Sequence, residues 1–172
     1  RCYGAPEPQA VQNRRIEKEM EISMPAFAIG FRCPDAGRGR DAMRMDLIGE
    51  LAGEILIGES SELYQKLYDE NVIDADFSVD YERMKGMALL ELSGDSEDPR
   101  RILREVLAEA ARVLETGVDR ALLARLKKSV TGRRLRELDG FEGTCYRMCA
   151  YYFDGAEYFD YPEIYASVTA ED

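Results

Sequence analysis

No histidine occurs in the 172 residues. That absence removes Ser/His and Cys/His nucleophile pairs, imidazole acid–base chemistry and every His-ligated zinc site. The remaining soft ligands are the thiols of Cys2, Cys33, Cys145 and Cys149. None forms a C-x-x-C pair, and Cys145 and Cys149 stand i, i+4 on a predicted helix. Reduced, mostly buried thiols are therefore the reading, rather than a four-cysteine metal site. Carboxylates are so abundant that a pair of them carries no information. Asp74 and Asp76 flank a strand start, and Asp95, Glu97 and Asp98 crowd a helix N-terminus, where the helix dipole favours acids without catalytic purpose. The sequence assigns this chain no catalytic residue and no metal ligand.

Anion chemistry has two candidate places. Gly37-Arg38-Gly39-Arg40 is a Gly-rich basic stretch, but no G-x-G-x-x-G or Walker pattern surrounds it, so it reads as a surface loop. Residues 100–136 hold eleven Lys/Arg against four Asp/Glu, a local charge of +7 inside a chain of net −11. An anion- or RNA-binding module using the basic helix 120–136 is thus one reading. The other 135 residues carry −18, however, and an intramolecular acidic counterpart is simpler. Bulk attraction to nucleic acid or anionic membrane is disfavoured at this net charge. No apolar run reaches the ~18 residues of a spanning helix. Six tyrosines and three phenylalanines fall between Phe141 and Tyr165. Acidic neighbours would repel phosphate, so core or interface packing is the reading there, not base stacking.

These side chains must be positioned by elements that the pattern makes legible. Residues 1–12 carry Gly4, Pro6 and Pro8 and read as a linker. Arg15 to Met24 alternates, with Ile16, Met20, Ile22 and Met24 on one side, which predicts a half-buried strand. Ala26 to Phe31 is apolar throughout and suits a more central strand. A helix follows from about Asp41 with Leu47, Ile48, Leu51 and Ile55 at spacings of three and four, interrupted by Gly58. Its Gly49 and Gly53 predict close packing on a sheet. A second, short helix spans Ser61 to Glu70. Phe77 to Glu82 and Met87 to Leu92, joined at Lys85-Gly86, form the clearest hairpin. Asp98 followed by Pro99 marks the cap and first position of a helix that ends at Gly117. Helices follow over Asp119 to about Leu138, Phe141 to Phe153 and Tyr158 to Ser167. The final Val168-Thr169-Ala170-Glu171-Asp172 reads as the start of another helix, with Thr169 as its N-cap. The order predicts a single α+β domain: an antiparallel or mixed sheet with helices packed on one face.

The segment Gly58 to Leu67 matches G-x-S-S-x-L-[FY]-x-x-L, and with the preceding helix it resembles the second domain of insulinase/pitrilysin-type zinc peptidases. That group includes mitochondrial processing peptidase, and the likeness is closest to bacterial two-domain members. It covers roughly Ile16 to Asp172 through the hairpin, the capped helix at Asp98, the long basic helix and Tyr151-Tyr152-Phe153, in the same order. The resemblance implies a non-catalytic half that closes a peptide chamber. The zinc would lie in a separate N-terminal domain bearing the inverted H-x-x-E-H motif. It further implies a cytoplasmic protein, a peptide substrate, that catalytic domain as partner with room for a homodimer, and a domain continuing into a further helix and strand. Many members hold the substrate with an Arg and a Tyr from this domain. The Arg position falls on Tyr68; the Tyr position falls on Ala75, or on Phe77 if two residues are inserted after Val72. Tyr68 and Phe77 are therefore the expected substrate-lining residues. A scaffold or chaperone-like subunit of an inactive paralogue is the alternative role.

Overall fold

A computed structural model describes residues 11, 13–84 and 86–172. Three strands form an antiparallel sheet in the order β1-β3-β2: β1 (Ala26–Cys33), β2 (Ser78–Met84) and β3 (Met87–Asp95). Six helices complete the α+β fold: α1 (Gly39–Ile57), α2 (Glu62–Asp69), α3 (Pro99–Thr116), α4 (Arg120–Glu137), α5 (Phe141–Asp154) and α6 (Tyr161–Ser167). A short 3-10 turn, Tyr158–Asp160, leads into α6.

Register explains why the helices share one face. Ile29, Leu92 and Val79 stand in one row across the strands, and Phe31, Leu90 and Tyr81 in another. These rows meet the helices. Leu92 packs with Ile57, Leu67, Ile102 and Val106 in one apolar cluster, and Met43, Leu47 and Leu51 of α1 join Leu123, Leu126 and Val130 of α4 in a second. The intervening rows are Ala28, Ser93 and Ser78, then Gly30, Glu91 and Asp80. No described helix covers them, and Ala28, Gly30 and Asp80 are exposed.

Gly49 and Gly53 do what their spacing predicts. A Cβ on Gly49 would lie 2.2 Å from the Tyr81 ring, and one on Gly53 would lie 3.0 Å from Val79. With no side chains there, α1 lies directly on β2. Local signals also hold at the α3 and α4 starts: Asp98 accepts from the Arg101 N–H at 3.1 Å, and Asp119 from Ala121 at 2.8 Å. At the hairpin turn Gly86 adopts φ +79°, a conformation that costs it nothing.

Some expectations fail or hold only in part. Arg15 to Met24 forms no strand; Ile16, Met20 and Ile22 are 80, 64 and 54% exposed. Alternation by itself does not make a strand: β1 and β2 both keep an edge that no described strand pairs with, and this segment joins neither. The aromatics between Phe141 and Tyr165 divide: Tyr161 and Tyr165 are core and Tyr151 packs against it, whereas Phe141, Tyr146, Tyr152 and Phe153 of α5 are exposed and form no part of this chain's core. Its thiols follow, Cys145 and Cys149 being exposed rather than buried, with Cys33 half-buried. Cys2 and most of the linker lie outside the described residues.

Candidate functional site

The turn from α1 into α2 builds the aromatic centre of the domain. Gly58 ends α1 by donating to the Glu54 carbonyl at 3.1 Å, and a Cβ there would strike the Glu54 backbone. Ser61 then caps α2: its buried hydroxyl accepts from the Tyr64 N–H at 3.1 Å. The cap fixes the phase of α2, so Leu63, Tyr64 and Leu67 turn inward. Residues of the motif thus have structural work to do. The serine is a cap, not a nucleophile.

Tyr64 is the hub. The Tyr68 ring stacks on it at 6.0 Å between centroids, and Phe77 tilts against it, also at 6.0 Å. Phe27 extends the series beyond Phe77 at 6.4 Å. The two expected substrate-lining residues are therefore brought to one cluster, joined through Tyr64, and they differ in access. Tyr68 is 45% exposed at the C-terminal end of α2; Phe77 is 8% exposed. Gly94 makes room for Phe77, whose Cα lies 3.1 Å from where a Cβ would stand. Asn71 turns the chain after α2 with φ +55°, and Ser96 clamps the following loop by donating to the Val72 carbonyl at 2.6 Å. Asp74 accepts from the Asp76 N–H at 3.0 Å, the capping role its position suggests.

Phe77 and Tyr64 form one wall of a hollow of about 420 Å³, whose other side is Leu126, Ser129, Val130 and Arg133 of α4. Glu54 faces it too. Burial, reinforced by the charge of Glu59, pushes its carboxyl above the ordinary range. Burial also raises the Tyr64 phenol.

Part of the basic helix is answered from within the chain. Arg134 meets Glu50 at 3.2 Å and Arg133 pairs with the same carboxylate. Arg147 lies 2.8 Å from Glu137, and Arg83 reaches Asp46 at 2.9 Å and Asp154 at 2.7 Å. Those two carboxylates raise the Arg83 guanidinium well above its usual value, against its partial burial. The Gly-Arg loop is likewise structural. Arg40 holds Asp160 at 2.6 Å and Glu163 at 3.0 Å, tying the start of α1 to α6.

Zinc does not fit the donors of this chain. Imidazole is absent from the sequence, and no three Cys, Asp or Glu side chains converge among the described residues. No helix of the described residues is long and apolar enough to cross a membrane.

Comparison with known proteins agrees with this geometry. The model of the family described as "Peptidase M16 inactive domain" matches residues 1–130. The chain belongs to that family. An M16 relative is the uncharacterized zinc protease YmfH of Bacillus subtilis strain 168, 27% identical over 168 residues. That match takes in 96% of this chain but 39% of YmfH, so the chain spans well under half of its relative. Among solved structures, an M16-like peptidase from Alicyclobacillus acidocaldarius superposes with a TM-score of 0.81 at 24% identity. It covers 87% of this chain and 36% of that one. A zinc protease structure from Bordetella pertussis Tohama I gives 0.62 at 18% identity, over 88% of this chain and 84% of that one. Both share the fold of this M16 inactive domain.

Proposed function

We propose that this domain closes a peptide chamber opposite a zinc-bearing N-terminal domain of the same polypeptide, and takes no part in bond cleavage itself. The observation that carries the reading is the uncovered sheet face. The helices that reach the sheet, α1, α2 and α3, pack on the Leu92 face, and the other face presents Ala28, Gly30, Ser78 and Ser93 beside charged residues such as Glu91 and Asp80 and the half-buried Leu89. A smooth wall without a core to protect suits an unfolded chain passing over it; chamber size then excludes folded proteins. The inactive-domain family implies a catalytic partner, and the zinc protease YmfH is long enough to contain one. In that role Tyr68 offers its exposed ring to the substrate, and Phe77 supports Tyr64 behind it. The protein is cytoplasmic in this reading.

The domain is also proposed to continue into a further helix. Thr169 and Asp172 already make a reciprocal cap: the Asp172 carboxylate accepts from the Thr169 N–H at 2.8 Å, and Thr169 Oγ1 accepts from Glu171 at 3.3 Å. An apolar groove of about 490 Å³, lined by Ile48, Leu51, Leu114 and Val118, lies beside it.

Kinetics on the polypeptide joined to its N-terminal partner test the role. Tyr68→Ala is expected to raise KM for an unfolded peptide several-fold with kcat nearly unchanged, as loss of uniform binding does. A chelator is expected to stop hydrolysis by the joined polypeptide, while the 172-residue chain alone cleaves nothing. Chelator-sensitive hydrolysis by the chain alone overturns the proposal.

A further inference from the structure

Free cysteine is among the most buried of residue types. Cys145 and Cys149 of α5 nevertheless both stand exposed, and neither enters a disulfide. The third described thiol behaves otherwise: Cys33 is half-buried and donates to the Phe31 carbonyl at 3.5 Å. Met148, 39% exposed, stands on α5 three residues after Cys145 and one before Cys149. Contacts fix the inner side of this helix. Tyr151 packs against the α1/α4 cluster, Arg147 meets Glu137 at 2.8 Å and Asp154 meets Arg83 at 2.7 Å. At ~3.6 residues per turn the two thiols lie within about 40° of each other on the opposite, solvent side, with the Met148 thioether on their flank.

Spacing decides what two such sulfurs can do. Residues four apart on a helix hold their Cβ atoms ~5–6 Å apart. A disulfide needs ~3.8 Å, so the pair cannot close on itself without unwinding α5. A thiolate–metal bond is ~2.3 Å, so two of them in line span about 4.6 Å, which the sulfurs reach by rotation about Cα–Cβ alone. Met148, a neighbour of Cys145 at i, i+3, adds a third soft donor. Hard donors do not join them: among the described residues no three Cys, Asp or Glu side chains converge. That donor set discriminates between ions. Zinc in a structural site takes four ligands, and an iron–sulfur cluster takes four thiolates. Two thiolates and a thioether supply neither. Thiolate and thioether sulfur select the soft, closed-shell Cu(I) ion, which has no need of a fourth ligand.

We propose that Cys145, Met148 and Cys149 form a surface site for a single Cu(I) ion on the outer face of α5. The ion displaces the two thiol protons, so affinity falls as pH drops. No residue of α5 is fully buried, so the filled site bridges two turns of one helix and holds no core together. It is independent of the chamber reading: it uses no residue of the Tyr64 cluster and takes no part in peptide hydrolysis.

The test titrates the 172-residue chain with Cu(I) under nitrogen against bicinchoninate, whose coloured Cu(I) complex fades as the protein takes the ion. One ion per chain is expected, with a thiolate-to-copper absorption band in the ultraviolet. Losing an outer partner of a metal site costs ~10–100-fold in affinity, so Cys145→Ser and Cys149→Ser, each losing a ligand, are expected to cost about 100-fold or more. Cys145→Ala and Cys149→Ala place a better helix former at each position and are expected to show the same losses with the helix content of the parent by circular dichroism. Met148→Leu, which keeps the bulk of the side chain, is expected to cost about tenfold. The Cys2→Ser/Cys33→Ser double variant is expected to bind as the parent does. Loss of binding in that double variant, or parent-like competition by any single Cys145 or Cys149 variant, overturns the proposal. A Met148→Leu chain that binds like the parent overturns the three-sulfur assignment. One ion linking two chains by native mass spectrometry, displacement by equimolar Zn(II), or no withdrawal of Cu(I) from bicinchoninate overturns the site outright.

Discussion

The contact of α1 with β2 gives a prediction whose sign reverses with its partner. In Gly49→Ala the new Cβ would stand 2.2–2.5 Å from three carbons of the Tyr81 ring. Ordinary carbon contacts lie at ~3.5–4.0 Å, so the ring or its strand must retreat by more than about 1 Å. Overpacking of this kind costs about 1–3 kcal/mol. The substitution also removes a helix-interior glycine, which returns roughly 1 kcal/mol. Because the overlap is severe, the net expectation is a loss of about 1–2 kcal/mol. Gly53→Ala is the internal control. Its Cβ would meet Val79 at 3.0 Å and Leu90 at 3.2 Å, contacts that flexible methyls relieve by small shifts. There the two effects nearly cancel, within about 0.5 kcal/mol of zero. Urea denaturation of the chain, with m-values compared to confirm a common transition, measures both. Repeating Gly49→Ala in a Tyr81→Ala background removes the ring and leaves the propensity gain, so the same substitution should then stabilise by up to about 1 kcal/mol. A Gly49→Ala chain at least as stable as the parent, or a double variant showing no reversal, refutes the account of how α1 meets the sheet.

Three further outcomes follow from named contacts. Asp98→Ala removes the α3 cap at Arg101 and should cost about 1 kcal/mol by the same denaturation, whereas Asp98→Ser should restore most of it. Burial pushes the Tyr161 phenol up to about 12. The folded chain therefore holds its proton where an unfolded one, with pKa near 10, has lost it, so stability should fall as pH rises from about 10 towards 12. Tyr161→Phe should flatten that fall in pH-dependent melting; an unchanged slope assigns it to other groups. Lastly, the donor geometry predicts that a strong chelator leaves the Tm of this chain unchanged, which calorimetry with and without the chelator checks.

How much was legible beforehand depended on how local each signal was. The caps at Ser61, Asp98 and Asp119, the glycine stop at Gly117 and the Gly86 turn are settled by their own neighbours, and each stands where its residue type points. Gly49 and Gly53 were readable as a contact surface because nothing but a close approach explains two small residues one turn apart on an apolar stripe. Arg15 to Met24 shows the opposite case: alternation is a property of the segment, but a strand is a property of a pair. The α5 aromatics mislead for a related reason, since hydrophobicity says a residue gains from burial without saying what buries it. Tyr68 and Phe77 were named through the resemblance carried by the motif, whereas Tyr64, which joins them in the structure, enters that motif only as its [FY] position. The excess of acid outside residues 100–136 was the hint that the basic helix would find its partners inside the molecule.

The way α5 is attached has a consequence for handling the protein. Its one apolar anchor is the half-buried Tyr151, which packs on the edge of the α1/α4 cluster, and its other links are ionic or single polar contacts: Asp154 to Arg83, Arg147 to Glu137, and the Phe153 carbonyl to Arg38. Such links are screened by electrolyte, whereas the oily clusters beneath α1 and α4 are not. Concentrated brine should therefore leave this segment leaning on the Tyr151 ring, and its remaining rings, already exposed, would make the preparation sticky at ionic strengths that leave most domains soluble.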